Sequence, residues 1–428
     1  MGHDLVDITF TEEDFINAID ELSNNSSSGP DGIPSIFLKK CKSSVSVPLT
    51  MLWRKALDMG VTPLLVKIAH IIPIHKGDHR GLAANYRPIA LTSHLVKLFE
   101  KVIRNKIVSF LEENCLLNPS QHGFRRGRSC LSQLLDHYDK ILSMLEQGLN
   151  VDVIYLDFAK AFDKVDHQIL LEKLELLGIG GKLLEWIKSF LLQRTQHVLV
   201  NGHLSEPSAV RSGVPQGSVI GPLLFLILIG DIDAELAHAF LSSFADDTRT
   251  AMGVGSIRDV SLHQSDLERI YEWAIINNMS FNNKKLEALR YGTNSLLKEE
   301  TAYNAPNGTH IPVKNHVRDL GVTMSDTAKF SEHINIICQK ARDMCSWIFR
   351  TFRTRAPEPM KILWKSMVLP ILDYCSQLWC PIKAGQIQQI EAIQQYFTRR
   401  INIQEQPNYW QRLSKLKLYS LQRRRERY

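Results

Sequence analysis

Hydrophobic and polar positions along the chain change period more than once. Phe15, Ile16, Ile19 and Leu22 recur at helical spacing behind Thr11-Glu12-Glu13-Asp14, which has the form of a capping box, so a short helix is predicted there. It stops in the turn-forming cluster of residues 24–32. Helical patterning returns over residues 49–59, 95–111, 131–145, 169–177 and 183–192, the last two separated by Gly178-Ile179-Gly180-Gly181. Residues 68–74 read as a strand followed by a polar turn reaching Asp78. Val151-Asp152-Val153-Ile154-Tyr155-Leu156-Asp157, with β-branched residues running straight into a carboxylate, predicts a strand ending at Asp157. A strand over 197–200 turns at Asn201-Gly202, and two short strands are predicted within 242–252, around Ala245-Asp246-Asp247-Thr248. Gly213-Val214-Pro215-Gln216-Gly217 opens an apolar helix running to Ile229. Past about residue 330 the pattern is almost entirely helical. The expected order is α/β to roughly 325, then an α-rich tail.

With 44% hydrophobic and 22% charged residues, the chain of 428 residues has the composition of a folded protein, and its length predicts two to four subdomains. The longest uncharged apolar stretch, 219–230, is 12 residues with a Gly-Pro inside it. A bilayer span needs roughly 20, so no membrane helix is expected. The N-terminus is acidic without an apolar signal core, and Gly2 has no Ser or Thr at position 6 to suit myristoylation. Seven cysteines without a C-x-x-C pair predict reduced thiols in an intracellular protein, nuclear and cytoplasmic both remaining open. The net charge of +6 hides an asymmetry: residues 340–428 hold 17 Lys and Arg against 6 Asp and Glu, the rest 34 against 39. A basic lobe beside an acidic body fits a polyphosphate partner; a solvated helical face and a terminal targeting run are the alternatives.

Three carboxylates stand out by position. Asp157 ends an apolar strand, and Asp246 and Asp247 are adjacent at the tip of a predicted hairpin. Adjacent like charges beside an apolar strand cost energy unless a cation neutralises them, and hard divalent ions prefer carboxylate oxygens. Two such ions about 3.5–4 Å apart serve in-line phosphoryl transfer. Each of these features alone is as well explained by an aspartate turned to water.

Five segments occur together with them: Asn85-Tyr86-Arg87-Pro88-Ile89-Ala90-Leu91, Gln121-His122-Gly123-Phe124-Arg125, Tyr155-Leu156-Asp157-Phe158-Ala159-Lys160-Ala161-Phe162-Asp163, Gly213-Val214-Pro215-Gln216-Gly217-Ser218, and Phe244-Ala245-Asp246-Asp247. In this order and spacing the chain, from about Gly29 to its end, resembles the reverse transcriptases of non-LTR retrotransposons of the jockey-like and chicken-repeat-like kind. The resemblance implies an RNA-directed DNA polymerase that extends a primer 3′-OH with dNTPs on an RNA template. It also implies two Mg²⁺ ions, with Mn²⁺ as a substitute, held by Asp157 and Asp246 with Asp247 nearby. Phe162 matches the aromatic that excludes a ribose 2′-OH. Gln216 and Gly217 match a turn lying along the nucleotide and template, and Lys76 and Arg87 match basic residues that contact the triphosphate. Arg125, Arg126 and Arg128 resemble template contacts. Arg399 and Arg400 lie in the basic tail expected along the template–primer duplex. Ordinary core packing for Phe162 and solvated surface for Lys76 and the three arginines stay open as readings.

The resemblance implies an α/β right hand: an N-terminal extension with a short helix (1–29), fingers (30–150), a palm with an antiparallel sheet (151–325) carrying a fingers insertion at about 165–210, and a basic, truncated helical thumb (326–428). Residues 313–326 resemble the primer-gripping hairpin. Where the family pattern reads Asn-x-Asp-Lys this chain has Asn282-Asn283-Lys284-Lys285, so Lys285 keeps the lysine thought to protonate pyrophosphate while Lys284 replaces the acid. No segment resembles the endonuclease that usually precedes such a domain, and no membrane partner is expected. A relic that binds RNA without turnover and another palm enzyme with a carboxylate pair are the competing readings.

Overall fold

The computed structural model describes residues 4–77, 79–404 and 407–427. Asp78 of the expected polar turn, Gly2 and Tyr428 lie outside the described residues. The strands are β1 (Ile68–His75), β2 (Tyr86–Leu91), β3 (Asn150–Asp157), β4 (Arg194–Val200), β5 (His203–Leu204), β6 (Ser208–Val210), β7 (Phe240–Phe244), β8 (Asp247–Val254), β9 (Glu287–Tyr291), β10 (Val313–Lys314), β11 (His316–Asp319) and β12 (Val322–Ser325). Helices α1 (Glu12–Asp20), α2 (Ser35–Lys40), α3 (Lys42–Asp58), α4 (His94–Glu113), α5 (Cys130–Glu146), α6 (His167–Leu176), α7 (Gly181–Leu191), α8 (Gly221–Leu228), α9 (Ile257–Ile276) and α10 (Ser295–Glu300) are interleaved with them. After β12 the chain is helical, beginning with α11 (Ser331–Thr351) and including α12 (Ala384–Thr398).

The capping box of Thr11 and Asp14 forms as its sequence implies. Helix α3 starts well before the predicted residue 49 and runs through Pro48; its first turns are built of Lys, Ser and Val without helical apolar spacing, which hides them in the sequence. The apolar helix α8 is shorter than expected. Residues 213–220 form turns instead, with Gly217 at φ +126, a conformation an L side chain rarely adopts.

One sheet organises the molecule, in the order β10-β9-β3-β8-β7. Strand β3 is antiparallel to both β8 and β9, and its run Val151–Leu156 is mostly apolar because both of its faces are covered, with Asp152 as the buried exception. Ile154 and Leu156 join a core made with α1, α3, α4, α6, α7 and α8, in which Phe99 stacks on Trp53 at 4.7 Å and meets the edge of Trp186 at 5.1 Å. Val151 and Val153 point the other way, into a core completed by the C-terminal helices. There α11 buries Ile334, Ile337, Cys338, Ala341, Cys345 and Ile348 on one face. A second sheet, β2-β1-β4-β5 with β6 added on β4, lies apart from the first in pairing; its β1–β4 contact is parallel.

Two buried ion pairs hold the central sheet, one between neighbouring strands within it and one to its surroundings. Arg290 on β9 meets Asp152 on β3 at 2.9 Å, and Arg249 on β8 meets Asp319 on β11 at 2.6 Å. The second pair joins the β11–β12 hairpin to the strand that follows the Asp-Asp turn. Among the described residues no helix is long and apolar enough to cross a membrane.

Candidate active site

Two of the singled-out carboxylates face each other at one end of the central sheet, and the third is next to them in the chain. In the β3–β8 register Asp157 stands directly opposite Asp247, and the pair before it is Leu156 with Thr248. Directly paired antiparallel residues have Cα atoms about 4.5–5.5 Å apart and side chains on one face. Asp246 is the next residue, in the two-residue turn between β7 and β8. The first residue of that turn, Ala245, has φ +57, where glycine is the usual occupant of a tight hairpin. The turn is therefore held in a conformation its own sequence does not favour.

The electrostatics of the cluster are unbalanced. Desolvation by the surrounding protein, followed by repulsion from Asp246, Asp319 and Asp157, pushes the Asp247 carboxyl up to about 6, against a lowering pull from Arg249. Asp247 is itself exposed at the turn, so water screens part of this effect, and the mutual repulsion of the carboxylates is the component with the clearest structural cause. Lys285 reaches the site although Lys284 replaces the acid before it: its Nζ donates to Asp157 Oδ2 at 2.8 Å. The approach is fixed by the backbone, since Asn282 N–H donates to the Asp157 carbonyl at 2.7 Å and Ala159 N–H to that of Ser280 at 2.8 Å.

An all-oxygen donor set of this kind suits a hard cation. Among the described residues no three His, Cys, Asp or Glu side chains converge as a cage for a metal. Magnesium does not need one, because it is usually held by one or two carboxylates together with waters and substrate phosphates. Two opposed carboxylates, a third beside them and one of the three destabilised by the others fit such an ion.

The sequence pattern of the reverse transcriptase (RNA-dependent DNA polymerase) family matches residues 74–324, which span both the carboxylate cluster and Lys285. The chain belongs to the reverse transcriptase family. It is 28% identical over 405 residues to the RNA-directed DNA polymerase from mobile element jockey of Drosophila melanogaster, covering 92% of this chain and 44% of that protein. It is 26% identical over 401 residues to the probable RNA-directed DNA polymerase from transposon BS of the same fly, covering 91% and 44%. A third relative, the probable RNA-directed DNA polymerase from its transposon X-element, is 28% identical over 393 residues, covering 89% and 42%. The chain thus spans less than half the length of these relatives.

Around these carboxylates the other singled-out residues fall into three groups. Phe162 lies in the loop after β3, half-buried, stacked on Phe225 at 4.6 Å and edge-on to Phe124 at 6.2 Å. That loop is stapled to the segment holding Gln216: Val214 N–H donates to the Phe162 carbonyl at 2.9 Å, and Gln216 Nε2 donates to Asp163 Oδ1 at 2.9 Å. On its other side the segment touches β2, where Ala90 N–H donates to the Gln216 carbonyl at 2.7 Å and a Cβ on Gly217 would stand 2.6 Å from the Ala90 oxygen. Phe162, Gln216 and Gly217 thus belong to one bonded unit.

Lys76 and Arg87 form the second group, both exposed on the β1–β2 hairpin. Arg87 pairs with Ile74, and Lys76 directly follows the end of β1, its N–H donating to the Asn85 carbonyl at 2.8 Å, so both cations stand near the loop end of the hairpin. The third group is more divided. Arg125 and Arg128 spend donors on the carbonyls of Asn118 and Pro119, each at 2.8 Å, whereas Arg126 is exposed. Arg399 and Arg400 are exposed at the end of α12, with the Arg400 guanidinium 3.7 Å from the centre of the Tyr396 ring.

Two supporting residues carry no signal of their type in the sequence. Glu100 on α4 is fully buried, accepts from Val219 N–H at 2.6 Å and Ile220 N–H at 3.1 Å, and so anchors the start of α8 behind the Gln216 segment. Desolvation raises its carboxyl above the ordinary range, partly offset by those two donors. Asp163 was quoted within the third segment, but its part in orienting the Gln216 amide follows only from the fold.

Proposed function

We propose that the chain is an RNA-directed DNA polymerase that joins dNTPs to a primer 3′-OH on an RNA template. The observation that carries this reading is the register of Asp157 against Asp247, with Asp246 beside them, inside the stretch matched by the reverse transcriptase family. In this reading the central sheet is the palm, the β1–β2 hairpin and its neighbours are the fingers, and the basic helices after residue 326 are the thumb along the duplex. The free state of all seven cysteines supports an intracellular site of action.

Asp157, Asp246 and Asp247 are the residues that would hold two Mg²⁺ ions, or Mn²⁺ in their place. Bound there, the ions would activate the primer hydroxyl and neutralise charge on the leaving pyrophosphate. Lys76 and Arg87, near the loop end of their hairpin, bind the triphosphate, the arginine through its fork of donors and the lysine as a point charge. The Phe162 ring, backed by Phe225, stands rigid against a 2′-OH. Gln216, its amide nitrogen engaged by Asp163, keeps its carbonyl end for the nucleotide and template. Lys285 Nζ, beside Asp157, supplies the proton for the pyrophosphate oxygen.

Primer extension of oligo(dT) on poly(rA) with Mg²⁺ tests this. Extension that Asp246→Asn abolishes, with RNA affinity retained, supports the assignment. Absence of extension by the unaltered chain at every protein level refutes it and favours an RNA-binding relic.

A further inference from the structure

The Asp-Asp turn does not hold its own shape. Ala245 sits in the left-handed region, and the contacts that keep it there come from a segment more than a hundred residues earlier. Gln121 is buried, and its side-chain amide grips both backbone groups of Ala245: Oε1 accepts from Ala245 N–H at 2.8 Å and Nε2 donates to the Ala245 carbonyl at 3.2 Å. The same Oε1 accepts from Gly123 N–H at 2.8 Å, so both of its acceptor positions are filled. The backbone on either side is docked as well. His122 N–H donates to the Ser243 carbonyl at 3.0 Å and Ser243 N–H to that of Ser120 at 3.1 Å. With its amide oriented to suit its neighbours, buried Gln133 donates to the carbonyls of Ser120 at 3.2 Å and Ser243 at 3.0 Å. Gly123 leaves the room this requires, because a Cβ there would lie 2.3 Å from the Ala245 nitrogen.

We infer that Gln121 is a positioning residue for the carboxylate turn: by clamping Ala245 it sets where Asp246 and Asp247 stand relative to Asp157. This rests on the polymerase reading for its effect on rate, though the clamp itself does not. A glutamine fits the task because an amide donates and accepts from one planar group, matching the N–H and C=O of one residue, which lie in successive peptide units. The cost of losing it falls on the turn. Without the clamp Ala245 is free to leave its disfavoured left-handed conformation, and both aspartates move with it.

Two readouts test this, one independent of turnover. Hydrogen exchange of the Ala245 amide in the metal-free chain should be slow in the unaltered protein and faster in Gln121→Leu. In primer extension the same variant should lose about 100-fold in kcat, the loss expected of a displacement of roughly 1 Å. The KM for dNTP should be unchanged, since the nucleotide-binding residues are untouched. Gly123→Ala, which displaces the clamp without altering it, should behave alike. Should Gln121→Leu not fold, Gln121→Glu keeps the accepted bonds but sets an oxygen against the Ala245 carbonyl in place of the donor, and it should likewise speed Ala245 exchange and lower kcat. Unchanged Ala245 exchange, or full kcat in a folded Gln121→Leu protein, overturns the inference. An inactive parent chain would count against the polymerase reading alone, and the exchange measurement would still decide the clamp.

Discussion

Replacing Asp247 by Asn should stabilise the metal-free protein, and the gain should depend on pH. Asp247 is isosteric with Asn, and the change removes one of three clustered negative charges. Its carboxyl is moved from 3.8 to about 6 by desolvation and then by Asp246, Asp319 and Asp157. A shift of that size would correspond to at most about 3 kcal/mol at neutral pH. Because the residue is exposed at the turn, screening reduces this to about 1 kcal/mol, or roughly 2 °C in Tm. The sign follows from linkage. A carboxyl with a raised folded pKa binds more protons in the native than in the unfolded state, so stability falls as pH climbs from 3.8 towards 6. Below that window both proteins carry a neutral side chain and should melt together; above it the variant should melt higher. The assay is thermal unfolding in chelator from about pH 4 to about pH 8, at one scan rate because long chains often unfold irreversibly. Added Mg²⁺ should then raise the parent's Tm more than the variant's and close the gap. A gain of equal size at every pH, or no gain at neutral pH, would refute the electrostatic account.

Three further outcomes are expected. Asp319→Ala, which leaves Arg249 buried without its ion-pair partner, should cost about 3–5 kcal/mol in denaturant unfolding, and adding Arg249→Met should recover much of it; an additive double variant would show that the two groups do not interact. Phe162→Val should raise ribonucleotide incorporation relative to dNTPs in single-nucleotide extension, and an unchanged ratio would remove the ring from sugar selection. Neutralising Arg399 and Arg400 together should lower the log–log salt slope of duplex binding by about two; a slope that stays put means neither side chain meets a phosphate.

The sequence was most readable where chemistry and periodicity coincide. Strand β3 is legible because β-branched and apolar residues dominate both of its faces, and the β7–β8 hairpin because two adjacent acids mark its tip. Strand β9 is not, since Arg290 and Glu287 interrupt its pattern; Arg290 is buried because Asp152 on the neighbouring strand neutralises it and Lys298 and Thr301 accept from its remaining donors. Pairing of that sort cannot be read from either residue alone. Helix α9 was hidden in the same way, by buried His263 and Asp266, the latter accepting from the amides of Ala237, His238 and Ala239. At the site itself the aspartates announced themselves, whereas Gln121, Glu100 and Asp163 act through backbone groups and hydrogen bonds that depend on the fold.

The bond between Arg249 and Asp319 bears on how far the protein can be trimmed. All three acids of the cluster precede residue 250, so a shortened version ending soon after them would look complete on paper. It would nonetheless strand a guanidinium in the interior, two positions from Asp247 on the same strand. The shortest autonomous unit must therefore carry the β11–β12 hairpin, although that hairpin contributes no acid to the cluster.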